Sequence, residues 1–316
     1  MLSDRLKSAV SSAGSRGLFA GSSSYSTVID YIEISTPGNA TDFGDLTVGR
    51  GYLTGADNGT SDRGLFAAGN SSGTYMNTID YVTISSPGNA TDFGDLWDGL
   101  YAPAGCSNGP NDRGVFGGGV GQPWDDGQNT IGYVTISTTS NTADFGDLTN
   151  ARYSTQACSN GTNDRGVFWG GVGSHGSSGE IIDYVTISST GNAADFGDEI
   201  VSGDGINAAG ATSNGTSERG VHCGGDNSGA FDTIQYITIN SAGNAADFGD
   251  LTAASSWIAA TSSGAGDVAV VGAIDSGGVN DSGIDYFTIS TTGNASDFGD
   301  LSVARNGIAA VSNGLT

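Results

Sequence analysis

Lysine occurs once, at Lys7, and lysine and arginine together supply 10 residues against 34 acids, a formal charge of −24. With no cationic run to follow a phosphate backbone, the chain argues against nucleic acid as a partner. An acidic surface also repels anionic surfaces unless a divalent cation bridges them. Histidine is as scarce: His175 and His222 fall in different repeats at unmatched positions, and there is no Gly-x-Ser-x-Gly, His-Glu-x-x-His or Walker loop. An active site would have to consist of carboxylates alone, so the expectation is a protein that is not an enzyme. Three cysteines, Cys106, Cys158 and Cys223, cannot pair completely. The first two share the phrase Cys-Ser-Asn-Gly in consecutive repeats, which suits small buried side chains rather than a disulfide or a metal site. No apolar run could span a bilayer, and Met1 to Val10 lacks the apolar core of a secretory signal, so a soluble, non-exported chain is expected.

What the chain has in abundance is glycine, 54 residues, and repetition. A phenylalanine recurs at Phe43, Phe93, Phe145, Phe196, Phe248 and Phe298, with a mean interval of about 51 residues. A tyrosine stands 12 residues before each, at Tyr31, Tyr81, Tyr133, Tyr184, Tyr236 and Tyr286. Each unit opens on a short apolar run, such as Arg113-Gly-Val-Phe-Gly117, suited to a strand buried on both faces. A β-branched strand through the tyrosine follows, as in Ile79-Asp-Tyr-Val-Thr-Ile-Ser85. A Gly-Asn turn then leads to the strand Asp-Phe-Gly-Asp-Leu. A fourth strand is read from Tyr52 to Ala56, Tyr101 to Cys106, Tyr153 to Cys158, Ile206 to Ala211 and Ile258 to Ser262. Four antiparallel strands in each of six repeats specify an all-β, six-bladed propeller.

The chain ends on an opening strand without a blade of its own, about Ile308 to Ser312, expected to complete the first blade and close the ring. Residues 15–316 are then the propeller and 1–14 an arm; the alternative places Leu6 to Ser12 in the ring and leaves the C-terminus spare.

The strand pattern resembles the kelch repeat on Gly118-Gly119, Gly170-Gly171 and Gly224-Gly225, the six tyrosines, and the arginines Arg50, Arg152 and Arg305. Phenylalanine stands where kelch units carry tryptophan, and the glycine doublet is broken in three repeats. The phrases Ile-Asp-Tyr-Val-Thr-Ile-Ser and Gly-Asn-Ala-Thr-Asp-Phe-Gly-Asp-Leu also look like repeat proteins of bacteriophage particles. That resemblance implies a virion protein, in the tail or its fibres, whose partners are other virion proteins and a host-surface glycan or protein, without membrane insertion. Homo-oligomerisation suits a fibre, although no heptads support it. Capsid decoration without receptor binding, a cellular kelch-like adaptor and a carbohydrate-active enzyme are the rival readings.

Spacing locates the adaptable surface. From the apolar run to the tyrosine the six intervals are 15, 18, 20, 19, 17 and 19, whereas tyrosine to phenylalanine never varies. An insertion, Ile200-Val-Ser-Gly-Asp-Gly205, lies in a connection between blades, on the same face as the varying loops. That face carries Tyr25, Tyr75, Trp124, Asp125, Asp126 and His175, candidates for receptor contact through aromatic stacking and carboxylates. The alternative is that each packs on its own blade. The twelve repeated aspartates, from Asp42 and Asp45 to Asp297 and Asp300, lack the dense ligand series of a calcium loop and better suit turn capping. No cofactor is expected, calcium being the one ion that such hard oxygen ligands would suit. The acids preceding Arg63, Arg113, Arg165 and Arg219 are expected to pair with those arginines between blades.

Overall fold

The computed structural model describes residues 15–122, 127–173, 180–201, 206–274 and 282–315. Blade 3 shows the plan. Its inner strand Ala104–Ser107, second strand Arg113–Gly117, third strand Thr130–Thr135 and outer strand Ala143–Asp147 form one antiparallel sheet in that order. Six such blades make the ring. The inner strands of blades 2, 4, 5 and 6 are Thr54–Asp57, Gln156–Ser159, Gly210–Ser213 and Ala259–Ser262. Blade 1 takes its inner strand from the C-terminus: Ala309–Ser312 pairs with Arg16–Ala20, Gly17 opposite Ser312 and Ala20 opposite Ala309. The expected closure is therefore present, and the alternative in which Leu6 to Ser12 fills that place is overturned. The first 14 residues lie outside the described part of the chain.

The fixed spacing of 12 has a packing cause. In every blade the third-strand tyrosine meets the outer-strand phenylalanine edge to face, with ring centroids 5.8–6.2 Å apart. The opening arginine lies over the same tyrosine at 4.3–4.5 Å in five blades. Its guanidinium then donates to a carbonyl of the next blade, Arg63 Nη1 to Ile136 O at 3.1 Å and Arg113 Nη1 to Ile187 O at 3.2 Å. These arginines bridge blades as expected, but through carbonyls. The acids before them cap turns instead: Asp62, Asp112, Asp164 and Glu218 end 3-10 turns at φ 73–75°. Asp62, Asp112 and Asp164 accept the amides of Ser85, Ser137 and Ser188.

Seams between blades carry the core. Phe66 of blade 2 packs into the cluster of Leu18, Phe43 and Val311 in blade 1, and Phe116 and Phe168 repeat the insertion one and two seams further on. At the rim, the glycine of Asp-Phe-Gly-Asp has one reason to be glycine. A Cβ on Gly146 would lie 2.4 Å from Gly191 O of the next blade, and the same clash recurs from Gly44 onto Gly88 through to Gly299 onto Gly38. The neighbouring asparagine closes the joint by accepting an amide across the seam, Asp45 N to Asn89 Oδ1 at 3.1 Å and Asp300 N to Asn39 Oδ1 at 3.2 Å. The Gly-Asn turn thus joins blades as well as strands. Turn capping, expected of the Asp-Phe-Gly-Asp aspartates, belongs to the acids before Arg-Gly.

Three seams add a buried ion pair. Arg50 meets Asp80, Arg152 meets Asp183 and Arg305 meets Asp30, each at 2.9 Å. Each guanidinium also donates to a second-strand carbonyl, Phe66 O, Phe168 O or Phe19 O. Burial pulls all three arginines down in pKa and the partnering carboxylates pull them back up.

Candidate functional site

Loops joining second to third strands and outer strands to the next blade emerge on one face, called here the variable face. The 3-10 turns and Gly-Asn turns form the opposite, constant face. On the variable face, just before each inner strand, one residue takes a left-handed conformation: Tyr52, Ala102, Ser154, Ala208, Trp257 and Gly307, at φ 50–65°. Their backbones bond head to tail around the axis. Ala102 N donates to Tyr52 O, Ser154 N to Ala102 O, Ala208 N to Ser154 O, Trp257 N to Ala208 O, Gly307 N to Trp257 O, and Tyr52 N to Gly307 O, at 2.6–3.3 Å. The result is a closed hoop of six hydrogen bonds at the mouth of the axial channel. Strands expected to begin at Tyr52, Tyr101 and Tyr153 therefore begin later, because a left-handed residue cannot sit in an extended ladder.

Aromatic side chains gather at this hoop. Tyr52 lies 4.7 Å from both Tyr101 and Trp257, Tyr101 and Trp257 are 6.0 Å apart, and Tyr153 stands 6.5 Å from Tyr101. Gly307, without a side chain, leaves room for the Tyr52 ring. The Tyr52 hydroxyl is hydrogen-bonded to Ser23, and burial raises its pKa and, more strongly, that of Tyr101. These four rings are half-buried: one edge packs and the other faces solvent.

Of the six residues expected on the binding face, the structure describes two. Tyr25 is 41% exposed at the edge of blade 1, on a left-handed turn at φ 65°. Tyr75 is buried at 5% and packs on Tyr101 at 5.6 Å, supporting the cluster from behind; burial pushes its hydroxyl up to about 12. The hairpin Asn70–Ser71 with Thr74–Thr83 turns Tyr75 inward while Thr74 faces out. Trp124, Asp125, Asp126 and His175 lie outside the described residues. Sequence reasoning missed Tyr52, Tyr101, Tyr153 and Trp257 as site residues, having read their segments as ordinary strands. The available signal was an aromatic repeated ahead of the inner strand.

The variable face also holds all of the large exposed apolar side chains among the described residues: Tyr25, Val48, Ile200 and Val303. Among those residues no group of three or more His, Cys, Asp or Glu side chains is placed to hold a metal ion, and no helix is long and apolar enough to cross a membrane. The three cysteines are free and buried, with burial raising each thiol, Cys158 to about 12. His222 is buried at the seam of blades 4 and 5, stacked on Trp169 at 5.2 Å and 3.1 Å from Glu199.

Fold and site together define a six-bladed β-propeller with a polarised pair of faces, one stiff and uniform, the other varied and aromatic. No family model matches the chain, and a search of curated proteins finds no match.

Proposed function

We propose that the protein is a non-enzymatic recognition module that binds a surface ligand through its variable face. The observation that carries this reading is the segregation of features. Loop variation, the exposed apolar side chains and the half-buried aromatic cluster share one face, while the 3-10 turns and Gly-Asn turns of the other repeat from blade to blade. A particle attached through the constant face would present the aromatic face outward. Half-exposed tyrosine and tryptophan rings suit stacking on sugar rings or an apolar protein surface, and the charge of −24 favours a neutral ligand over an anionic one.

The setting we propose is a bacteriophage virion, in the tail or tail fibre, with blades of kelch-like type; the support is the resemblance of the repeated phrases and the opposed faces. The ligand class is then a host-surface glycan or protein. Adsorption of fluorescently labelled protein to intact candidate host cells tests this. Tyr25→Ala with Trp257→Ala is expected to reduce adsorption at least tenfold with the ring still folded by circular dichroism. Adsorption unaffected by the pair would overturn a role for the variable face. A folded ring that adsorbs to no host would instead favour a capsid-decoration role.

A further inference from the structure

The axial channel changes character from end to end. Beneath the aromatic hoop it is narrow, walled by Leu53, Pro103, Ile258 and Ile308 together with Gln156. Halfway down, each inner strand brings a glycine or alanine to the wall, at Gly55, Gly105, Ala157, Ala211, Ala260 and Ala310, with Gln156 beside them. At the constant-face end it widens to a cavity of about 80 Å³ ringed by Asp57, Ser107, Ser159, Ser213, Ser262 and Ser312. Five blades thus place a serine hydroxyl here, and blade 2 places a carboxylate.

Asp57 lacks a cationic partner in this cavity. Its Oδ1 accepts Gly59 N and its Oδ2 accepts Ser312 N, both at 3.1 Å, and no lysine, arginine or histidine lines the wall. The serines are arranged as acceptors: Ser107, Ser159, Ser213, Ser262 and Ser312 each take the amide of the glycine two residues on. The Ser213 and Ser262 hydroxyls in turn donate hydrogen bonds to the carbonyls of Ser159 and Ser213. Oxygen of one carboxylate and several hydroxyls therefore faces a single polar space. That space has room for an ion and a few waters, since a water needs about 10–15 Å³ of such space.

We propose that this cavity is a cation site, in which Asp57 and the axial serine hydroxyls hold one hydrated hard divalent ion that enters from the constant face. The half-buried Asp57 carboxylate has no cation beside it, and its charge is offset either by a proton or by a bound cation. Burial raises the Asp57 carboxyl to about 6, so at neutral pH the proton is gone and the cation remains. A donor set made wholly of oxygen suits calcium or magnesium and disfavours the softer metals. One carboxylate gives a weak site, with a Kd of roughly 10⁻⁴–10⁻³ M, and the negative field of the whole chain raises the local cation concentration. Because Oδ2 holds the closing strand through Ser312, an ion here would tighten the ring where its two ends meet.

Calcium titration of the wild type and of Asp57→Ser, by calorimetry and thermal unfolding in chelator-treated buffer, tests the proposal. Asp57→Ser completes the serine ring and is expected to fold; Asp57→Asn, which preserves shape, is the second variant. At about ten times Kd the wild type is expected to gain about 2–4 °C in Tm, and both variants to lose the saturable binding and the shift. Loose calcium binding by the exposed acids is common to all three proteins and cancels. A wild type without saturable binding, or variants that respond as the wild type does, would overturn the site.

Discussion

Gly146 and its five equivalents show how a single atom sets the geometry of the ring. At φ +148° Gly146 occupies a region that only glycine populates readily, and the next blade's backbone fills the space of a Cβ. Gly146→Ala is expected to cost about 2–4 kcal/mol by denaturant unfolding, the sum of backbone strain and an opened seam. A cost below about 0.5 kcal/mol would mean that the seam relaxes freely. Asp57 gives a second test at this scale. Its carboxyl is raised in the folded state to about 6 from an ordinary 3.8, so the native protein holds that proton more firmly than the unfolded chain does. The destabilising charge is absent below about pH 4 and complete above about pH 6. Without divalent cations, the stability of Asp57→Ser relative to the wild type should therefore rise between about pH 4 and pH 6 and level off above, as read by denaturant unfolding. The serine also offers the donor that Ser213 and Ser262 use to bond the preceding blade.

The blade, the next level up, was legible in the sequence because its signals are side-chain signals. The invariant interval from Tyr31 to Phe43 marks a ring pair, and the apolar run at Arg16–Ala20 marks a strand covered on both sides. Seams were only partly legible. Arginines at 50, 152 and 305 stood out, but their partners Asp80, Asp183 and Asp30 lie in the next blade of the closed ring and carry no local signature. The axial hoop was not legible at all. Its members are tyrosine, alanine, serine, alanine, tryptophan and glycine, and a bond from backbone to backbone asks nothing of the side chain. The burial of Tyr75 was not legible for a related reason: loop length says that a loop varies, while the inward turn of Tyr75 is set by its hairpin register. The ion-pair seams carry a prediction. Arg50→Met leaves the Asp80 carboxylate buried without its countercharge, held by Thr47 alone, and is expected to destabilise by about 3–5 kcal/mol, whereas Arg50→Leu with Asp80→Ala should recover most of that loss. Equal losses in single and double variants would show that packing, rather than charge, dominates the seam.

For the whole molecule, closure and polarity are the two properties that matter. The closing strand Ala309–Ser312, the Gly299–Gly38 contact, the Arg305–Asp30 pair and the hoop bonds of Gly307 all join the two ends of the chain, so closure is secured at the axis, in the core and at the rim. The constant face is bonded blade to blade throughout, and that rigidity leaves the variable face free to differ from one blade to the next. Its reading as the binding face is tested most directly by adsorption of labelled protein to host cells across three proteins: wild type, Tyr25→Ala with Trp257→Ala, and Thr139→Trp, which places bulk on an exposed turn of the constant face. Wild type and Thr139→Trp are predicted to adsorb equally and the aromatic double variant at least tenfold less. Loss of adsorption in Thr139→Trp with the double variant unaffected would contradict the assignment of faces.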